Sequence, residues 1–334
     1  MDAKSPKEMQ RAGSKMMLAA RMVGPGQVDL VERPMPVPGP AQVRIALEGC
    51  GVCASNLGPW AGPDWMEFPT ESGAPGHEGW GHIDALGSDV TGLKVGERVA
   101  FLGQHSYATF DLADARHVVR LPPELDGLPF PGEALGCAMN ILARSGIKPG
   151  MRVAIIGIGF LGAALTRLAA NEGAEVIAIA RRDLSLALAR QMGAAHTIAL
   201  EDHWETIEEV RALTEDTLCE VVIEAAGAQW PLDLAGDLVG THGRLVIAGY
   251  HQDGPRQVNM QNWNWRGIDV INAHERDPAT CVAGMERAVK AVVARKLDIA
   301  PLVTHRFALD HLGAALDATR DKPDGFVKAW VACR

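Results

Sequence analysis

The sequence predicts two regions of different class: an irregular, partly barrelled all-β region, then an α/β region built on a doubly wound parallel sheet. Three observations carry this reading. Up to about Pro123 the chain runs in short β-type stretches punctuated by Gly and Pro. From about Gly132 the pattern turns helical, and from Arg152 onward apolar runs alternate with segments of helix length. A length of 334 residues suits two domains better than one.

In order along the chain, the first fifteen residues mix charge and polarity and read as a flexible leader, with the fold beginning at Met16 or Met17. Val28-Asp-Leu-Val, Val43-Arg-Ile-Ala-Leu and Arg98-Val-Ala-Phe read as strands. Pro34, Pro36, Pro38 and Pro40 make an extended connector, because proline fixes φ and removes a ladder donor. Arg152-Val-Ala-Ile-Ile, Glu175-Val-Ile-Ala-Ile, Glu220-Val-Val-Ile-Glu and Arg244-Leu-Val-Ile-Ala are strands of the second region. Apolar runs of this kind, separated by helices, imply a parallel sheet covered on both faces.

Composition excludes several function classes. A formal net charge of −9 argues against a nucleic-acid binder, which needs a basic face. Six cysteines in so long a chain do not make a disulfide framework and suit thiols in a reducing compartment. No stretch approaches the roughly 18 apolar residues of a membrane span. The leader lacks the apolar core of a secretory signal, so a cytoplasmic location follows by default.

The sharpest motif is Gly157-Ile-Gly159-Phe160-Leu161-Gly162, which follows the strand ending at Ile156 and opens the helical run from Ala163 to Asn171. In that context the backbone approaches a pyrophosphate at a helix N-terminus, where unpaired N–H groups and the helix dipole favour an anion. A dinucleotide cofactor is therefore expected. The end of the second strand bears on which one. An NAD-type site places a carboxylate there for the ribose hydroxyls, but this chain has Ile179-Ala180-Arg181-Arg182, with no acid before Asp183. Two guanidiniums offer forked donors to a 2′-phosphate, so NADP(H) is expected over NAD(H). Two solvated surface arginines are the competing reading.

Cys53, the pair His77 and Glu78, and Glu133 all precede this motif. Sulfur, imidazole and carboxylate together suit a zinc ion in a catalytic site. Each has an ordinary alternative. Cys53 is equally a small buried hydrophobe, and Glu133, after Pro131-Gly132, a helix N-terminal charge. Glycines on both sides of His77-Glu78 imply that the backbone passes close to something. Cys50 makes a CxxC with Cys53, but a closed zinc knuckle needs a second pair and none exists, so Cys50 reads as buried packing.

On these residues the chain resembles the zinc-dependent medium-chain dehydrogenases/reductases, the alcohol and polyol dehydrogenases. The resemblance runs from about Met17 to the C-terminus through Gly51-Val-Cys53-Ala-Ser55, Gly76-His77-Glu78-Gly79, Gly96-Glu-Arg-Val, Glu133-Ala-Leu, the glycine motif and Pro323-Asp-Gly-Phe-Val-Lys328. It implies a Rossmann cofactor domain of about 144–295 inserted into a GroES-like β-barrel catalytic domain of about 16–143 and 296–334. The active site is then expected in the cleft between them. It also implies a single catalytic zinc on Cys53, His77 and Glu133, with Glu78 exchangeable and Cys137 the rival of Glu133. Phe160, Leu161, Ala226, Ala248, Gly249 and Lys328 join the three glycines and the two arginines as the expected cofactor contacts. Ser55 is expected to take the alcohol proton while the metal acts as a Lewis acid and hydride passes to or from the nicotinamide.

Two departures from the family pattern stand out. The stretch from Arg98 to Phe110 runs without cysteine where many relatives insert a lobe holding a structural zinc. Asn56 and Gly58 stand where an aspartate and a histidine are common, leaving the proton's path beyond Ser55 undefined. For substrate, Trp60 is expected in the pocket, with Trp65 beside it, both with a core alternative. The stretches from Gly249, from Gln261 to Trp265 and from Asn272 to Glu275 are rich in amide, imidazole and indole groups, which suit either a hydroxyl-rich ligand or a subunit interface. A polyol, sugar or cyclitol is favoured over a simple aliphatic alcohol, and a homodimer or homotetramer is expected. The alternatives are a zinc-free NADPH quinone or enoyl reductase and a nucleotide-binding protein without turnover.

Overall fold

The computed structural model describes residues 15–334, so the leader read over residues 1–15 lies, all but Lys15, outside the described residues. The chain forms two compact units. The first comprises residues up to Pro131 together with Arg306–Asp321 and Ala329–Arg334, and the second Gly132–His305 with Lys322–Lys328.

In the first unit β1 (Met16–Gly24) and β2 (Gln27–Pro34) form an antiparallel pair, and the proline-rich connector leads to β3 (Gln42–Gly51). A short helix α1 (Leu57–Ala61) precedes β4 (Glu78–Leu86), β5 (Arg98–Phe101), β6 (Phe110–Asp114) and β7 (Val118–Arg120). β3 is largely buried because it pairs antiparallel with β4 and with β6. Its register with β4 sets Gly51 opposite Glu78 and Cys50 opposite Gly79. The exit of one strand thus lies beside the start of the other. Val43, Ile45, Leu47, Ile83, Val99 and Phe101 fill the core beneath them.

The second unit begins with α2 (Gly132–Ser145) and then alternates strand and helix: β8 (Arg152–Ile156), α3 (Phe160–Asn171), β9 (Glu175–Ala180), α4 (Asp183–Gln191), β10 (His196–Ala199) and α5 (His203–Leu213). It continues with β11 (Cys219–Glu224), α6 (Gln229–Leu238), β12 (Val239–Ile247), α7 (Met260–Arg266), β13 (Asp269–Asn272) and α8 (Pro278–Val293). The strands lie in the order β10-β9-β8-β11-β12-β13, every pair parallel. This is the doubly wound Rossmann order, with its reversal between β8 and β11, where such sheets open a crevice at their carboxyl ends. Ile156, Ile177, Ile179, Val222 and Leu245 from the strands pack with Ile207, Leu232, Leu238 and Trp263 from the helices.

The chain then supplies β14 (His305–Ala308), α9 (Leu312–Asp321) and β15 (Ala329–Ala332). β15 pairs with β3, and the antiparallel sheet runs β14-β15-β3-β4-β5-β7 with β6 on β3. The expected pairing of an α/β parallel sheet with a GroES-like all-β region is thus observed. The edge strands β10 and β13 were not picked out from the sequence. They span four residues each and are largely exposed or half-buried, so neither carries the long apolar run that marks β8, β9 or β11.

Candidate active site

The strand register builds the first cluster. Cys53 leaves β3 in extended backbone (φ −84°, ψ 144°) and starts a single 3-10 turn, Ala54–Asn56. His77 and Glu78 stand at the start of β4, opposite that exit. One ligand atom from each of Cys53, His77 and Glu78 lies within 4.8 Å of the other two, with Glu78 buried and the others half-buried. The glycines around His77 serve the close approach that the sequence implied. A Cβ on Gly76 would lie 2.5 Å from the backbone nitrogen of Tyr107, so the segment carrying Tyr107 runs hard against this strand.

The imidazole of His77 is oriented from behind. Its Nδ1 lies 2.8 Å from the carbonyl of Pro75, and a carbonyl only accepts, so in the neutral ring Nδ1 carries the proton and Nε2 is the unprotonated nitrogen. Asn56, buried, donates its Nδ2–H to the same carbonyl at 3.4 Å and accepts the hydroxyl proton of Tyr107 at 2.6 Å. Burial holds the Tyr107 phenol well above its ordinary pKa, so it stays a donor. An outer shell of this kind fixes the ring and tautomer of a metal-binding histidine. Asn56 stands where the sequence suggested a lost acid, and the amide does a definable job. Tyr107 escaped sequence reading altogether, since nothing local links it to a residue 51 positions away.

Cys50, on β3, is fully buried, and burial pushes its thiol well above the usual range, with the nearby Cys333 and Glu78 adding to it. A neutral, dry thiol agrees with packing rather than with metal binding. Ser55 lies in the 3-10 turn two residues beyond Cys53, half-buried. Trp60 is almost wholly buried in α1, donating its Nε1–H to Asp317 of α9 at 3.0 Å, whereas Trp65 is 75% exposed. Glu133 and Cys137 belong to the first turns of α2 in the second unit, where the Cys137 thiol donates to Glu133 Oε1 at 3.2 Å.

The glycine motif occupies the turn after β8. Gly157 adopts φ +94°, and a Cβ on Gly162 would lie 2.0 Å from the Gly157 carbonyl, so the turn requires both. A Cβ on Gly159 would meet no atom within 4 Å. The backbone there faces open space at the N-terminus of α3, whose N-cap has no side-chain hydrogen bond. That is the shape into which a pyrophosphate fits. A Cβ on Gly157 would lie 3.0 Å from the nitrogen of Ala226, so the turn after β8 touches the turn after β11. Lys328, nearly buried, sets its ammonium 4.7 Å from the centre of the Phe160 ring, the first residue of α3.

Beyond β9, Arg181 is exposed, while Arg182 donates from Nη1 to the carbonyl of Phe326 at 3.1 Å. Lys322 joins them. Lys322 is exposed, yet partial desolvation lowers its ammonium and the charges of the neighbouring Arg182 and Arg181 lower it further. Sequence reading found the two arginines but not Lys322, which arrives from 140 residues further along. Of the amide- and indole-rich stretch, Trp263 enters the core of the sheet and Trp265 is 88% exposed.

Two family models match in succession, the alcohol dehydrogenase GroES-like domain over residues 39–123 and the zinc-binding dehydrogenase over residues 161–294. The chain belongs to the zinc-type medium-chain dehydrogenase/reductase family. It is an alcohol-dehydrogenase-type oxidoreductase, similar to a sorbitol dehydrogenase of Halalkalibacterium halodurans at 26% identity, covering 89% of this chain and 94% of that protein. It is likewise similar to the 5-exo-hydroxycamphor dehydrogenase of Pseudomonas putida, at 29% identity over 90% of this chain and 95% of that one. Among solved structures, one from Sinorhizobium meliloti 1021 bound to NADP superposes with a TM-score of 0.82 at 24% identity, covering 95% and 99% of the two chains. At that identity the likeness is one of fold. The Cys53–His77–Glu78 cluster and the Gly157 turn are two places in the structure whose geometry could hold a ligand.

Proposed function

We propose that the protein is a zinc-dependent oxidoreductase that passes a hydride between NADP(H) and an alcohol or carbonyl carbon. The observation that carries this reading is the convergence of thiol, imidazole and carboxylate within 4.8 Å at the mouths of two paired strands. That donor set suits zinc. Cys53 and His77 would hold the ion with Glu78 beside them, and Glu133 is the further ligand that the family resemblance implies. When bound, zinc supplies Lewis-acid polarisation of the substrate oxygen. The chain's own residues do the rest. The Pro75 carbonyl holds the proton of His77 on Nδ1, and Asn56, itself held by Tyr107, donates to that same carbonyl. Ser55, on the turn beside Cys53, takes the alcohol proton.

NADP(H) is proposed over NAD(H) because Arg181, Arg182 and Lys322 gather with no carboxylate at the end of β9, and crowded cations favour an incoming phosphate. The NADP bound to the Sinorhizobium meliloti structure agrees with this. A polyol, sugar or cyclitol is the proposed substrate class, supported by the sorbitol dehydrogenase relatives. A homodimer or homotetramer is the proposed assembly.

One assay tests the whole reading. Purified protein should hold one zinc per subunit and oxidise members of a polyol panel with NADP in preference to NAD by kcat/KM, and a chelator should abolish turnover. Preference for NAD sinks the cofactor reading, and turnover that survives removal of the metal sinks the zinc reading.

A further inference from the structure

Glu224 ends β11 with no solvent exposure. A buried carboxylate is costly unless hydrogen bonds and a counter-charge compensate it. Here the compensation has a direction. Oε1 accepts the backbone N–H groups of Ala226 and Gly227, both at 2.7 Å. Oε2 accepts a hydrogen bond from His251 Nε2–H at 3.0 Å. His251 Nδ1 lies 2.8 Å from Nε of Arg256, which only donates, so the ring is fixed as the Nε2–H tautomer. Arg256 in turn donates to the Gly227 carbonyl at 3.1 Å and pairs with Asp253. The main-chain carbonyl of Glu224 accepts the N–H groups of Ala248 and Gly249, both at 2.8 Å.

One residue therefore gathers the turns that leave β11 and β12. A Cβ on Gly249 would lie 2.3 Å from the Gly227 nitrogen and 2.7 Å from Glu224 Oε2, and Ala226 touches Gly157 of the first turn. These are turns rather than core. Ala226 is exposed, Tyr250 is 61% exposed, and residues 248–259 form neither helix nor strand. Ordering such a loop costs about 1–2 kcal/mol per residue in backbone entropy alone. His251 and Arg256 tie the loop to Glu224 and Gly227, and Gln257 ties its far end to Gln229.

We infer that Glu224, His251 and Arg256 act as one positioning unit, which holds Ala226–Gly227 and Ala248–Gly249 in the shape that receives the dinucleotide. The inference rests on the cofactor reading of those turns. It makes His251 and Arg256 determinants of cofactor affinity that leave the chemical step alone. Glutamine at position 251 has an NH2 donor group and a carbonyl acceptor in its amide, and so can replace both hydrogen bonds of the imidazole, whereas leucine replaces neither.

The test compares the wild type, His251→Leu and His251→Gln by NADPH titration, steady-state kinetics and amide hydrogen exchange. In His251→Leu the Kd for NADPH should rise about ten- to a hundredfold, the range for losing a hydrogen bond to a charged group. The KM for the cofactor should rise with it, and kcat at saturation should stay within about twofold. Exchange at residues 226–227 and 248–258 should quicken while β8 and β9 keep their protection. His251→Gln should restore Kd and protection to near wild-type values. Unchanged exchange and unchanged Kd in His251→Leu overturn the positioning unit. So does a fall in kcat parallel to the loss of binding that glutamine fails to rescue. A wild type that binds no dinucleotide overturns the cofactor reading instead. Exchange, which needs no ligand, then reports separately whether the three residues hold the loops.

Discussion

The two regions proposed to carry chemistry are built from opposite materials. In the first unit the Cys53–His77–Glu78 cluster is a set of side chains, brought together by the register of β3 on β4 and aimed by a carbonyl, an amide and a phenol behind them. In the second unit the turn after β8 offers backbone, and its key residues are glycines chosen for what they lack. The first region should therefore fail when a side chain is removed, and the second when one is added.

The largest effect follows from removing a proposed ligand. Cys53→Ala should strip the protein of zinc, read as metal per subunit by elemental analysis. It should cost more activity than the roughly 10–100-fold typical of outer-shell changes around a metal. Cys50→Ala, three residues away on the same strand exit, should leave the metal content unchanged, because that thiol is buried and neutral. Equal metal loss in both variants would erase the distinction between the two cysteines.

Adding a side chain to the second region splits by position. Gly162→Ala puts a methyl 2.0 Å from the Gly157 carbonyl and should cost about 1–3 kcal/mol in chemical denaturation, the usual range for overpacking. Gly159→Ala puts its methyl into open space, so folding stability should move by no more than about 1 kcal/mol, the scale of an N-cap change. NADPH affinity should fall all the same. If Gly159→Ala bound the cofactor as tightly as the wild type, the open space beside Gly159 would not be where the pyrophosphate sits.

A smaller change sharpens the first region from behind. Tyr107→Phe leaves the buried Asn56 carbonyl oxygen without its 2.6 Å donor. Zinc affinity, measured by competition with a chromophoric chelator, should drop about tenfold, the lower end of outer-shell effects. Stability of the metal-free protein should fall by about 1–3 kcal/mol for the unsatisfied acceptor. A stability loss with unchanged metal affinity would make Tyr107 a packing residue only.

The contrast between the two regions also decides what the sequence could reveal. The Gly157 turn was legible because its parts are contiguous and its spacing is set by backbone geometry. The parallel sheet was legible because β8, β9, β11 and β12 hold uninterrupted apolar runs. Cys53, His77 and Glu78 were visible as residue types, but their convergence depends on a strand register that no local pattern encodes. The supporting shells were least visible. Tyr107 reaches Asn56 across 51 residues, His251 reaches Glu224 across 27, and Lys322 reaches the arginines from the far end of the chain. Each is an ordinary polar residue until tertiary structure gives it a partner. Trp60 is the reverse case. Its place between the Cys53 and His77 segments suggested either a pocket wall or core, and what the sequence does not show is that its indole donates to Asp317 inside the first unit.

The smallest expected effect concerns a cysteine that belongs to neither region and so calibrates the others. Cys219 begins β11, at the end opposite Glu224, and burial raises its thiol from an ordinary value of 9.0 to about 12, with Glu220 adding to the rise and Arg152 opposing it. The unfolded chain releases this proton from about pH 9 upward, while the folded chain keeps it to about pH 12. Within that window unfolding releases a proton, so stability falls as pH rises, by about 1.4 kcal/mol per pH unit for this group, and the group contributes no slope below it. Cys219→Ala leaves a small cavity and should be less stable than the wild type at pH 7. Lacking the thiol, it should also fall less steeply above pH 9, so the two stability curves converge by pH 11 in urea titrations. A gap that stays constant from pH 7 to pH 11 would mean that the thiol ionises as freely in the fold as outside it. Burial as deep as that of Cys50 would then be no argument against metal binding, and the separation of Cys50 from Cys53 would rest on geometry alone.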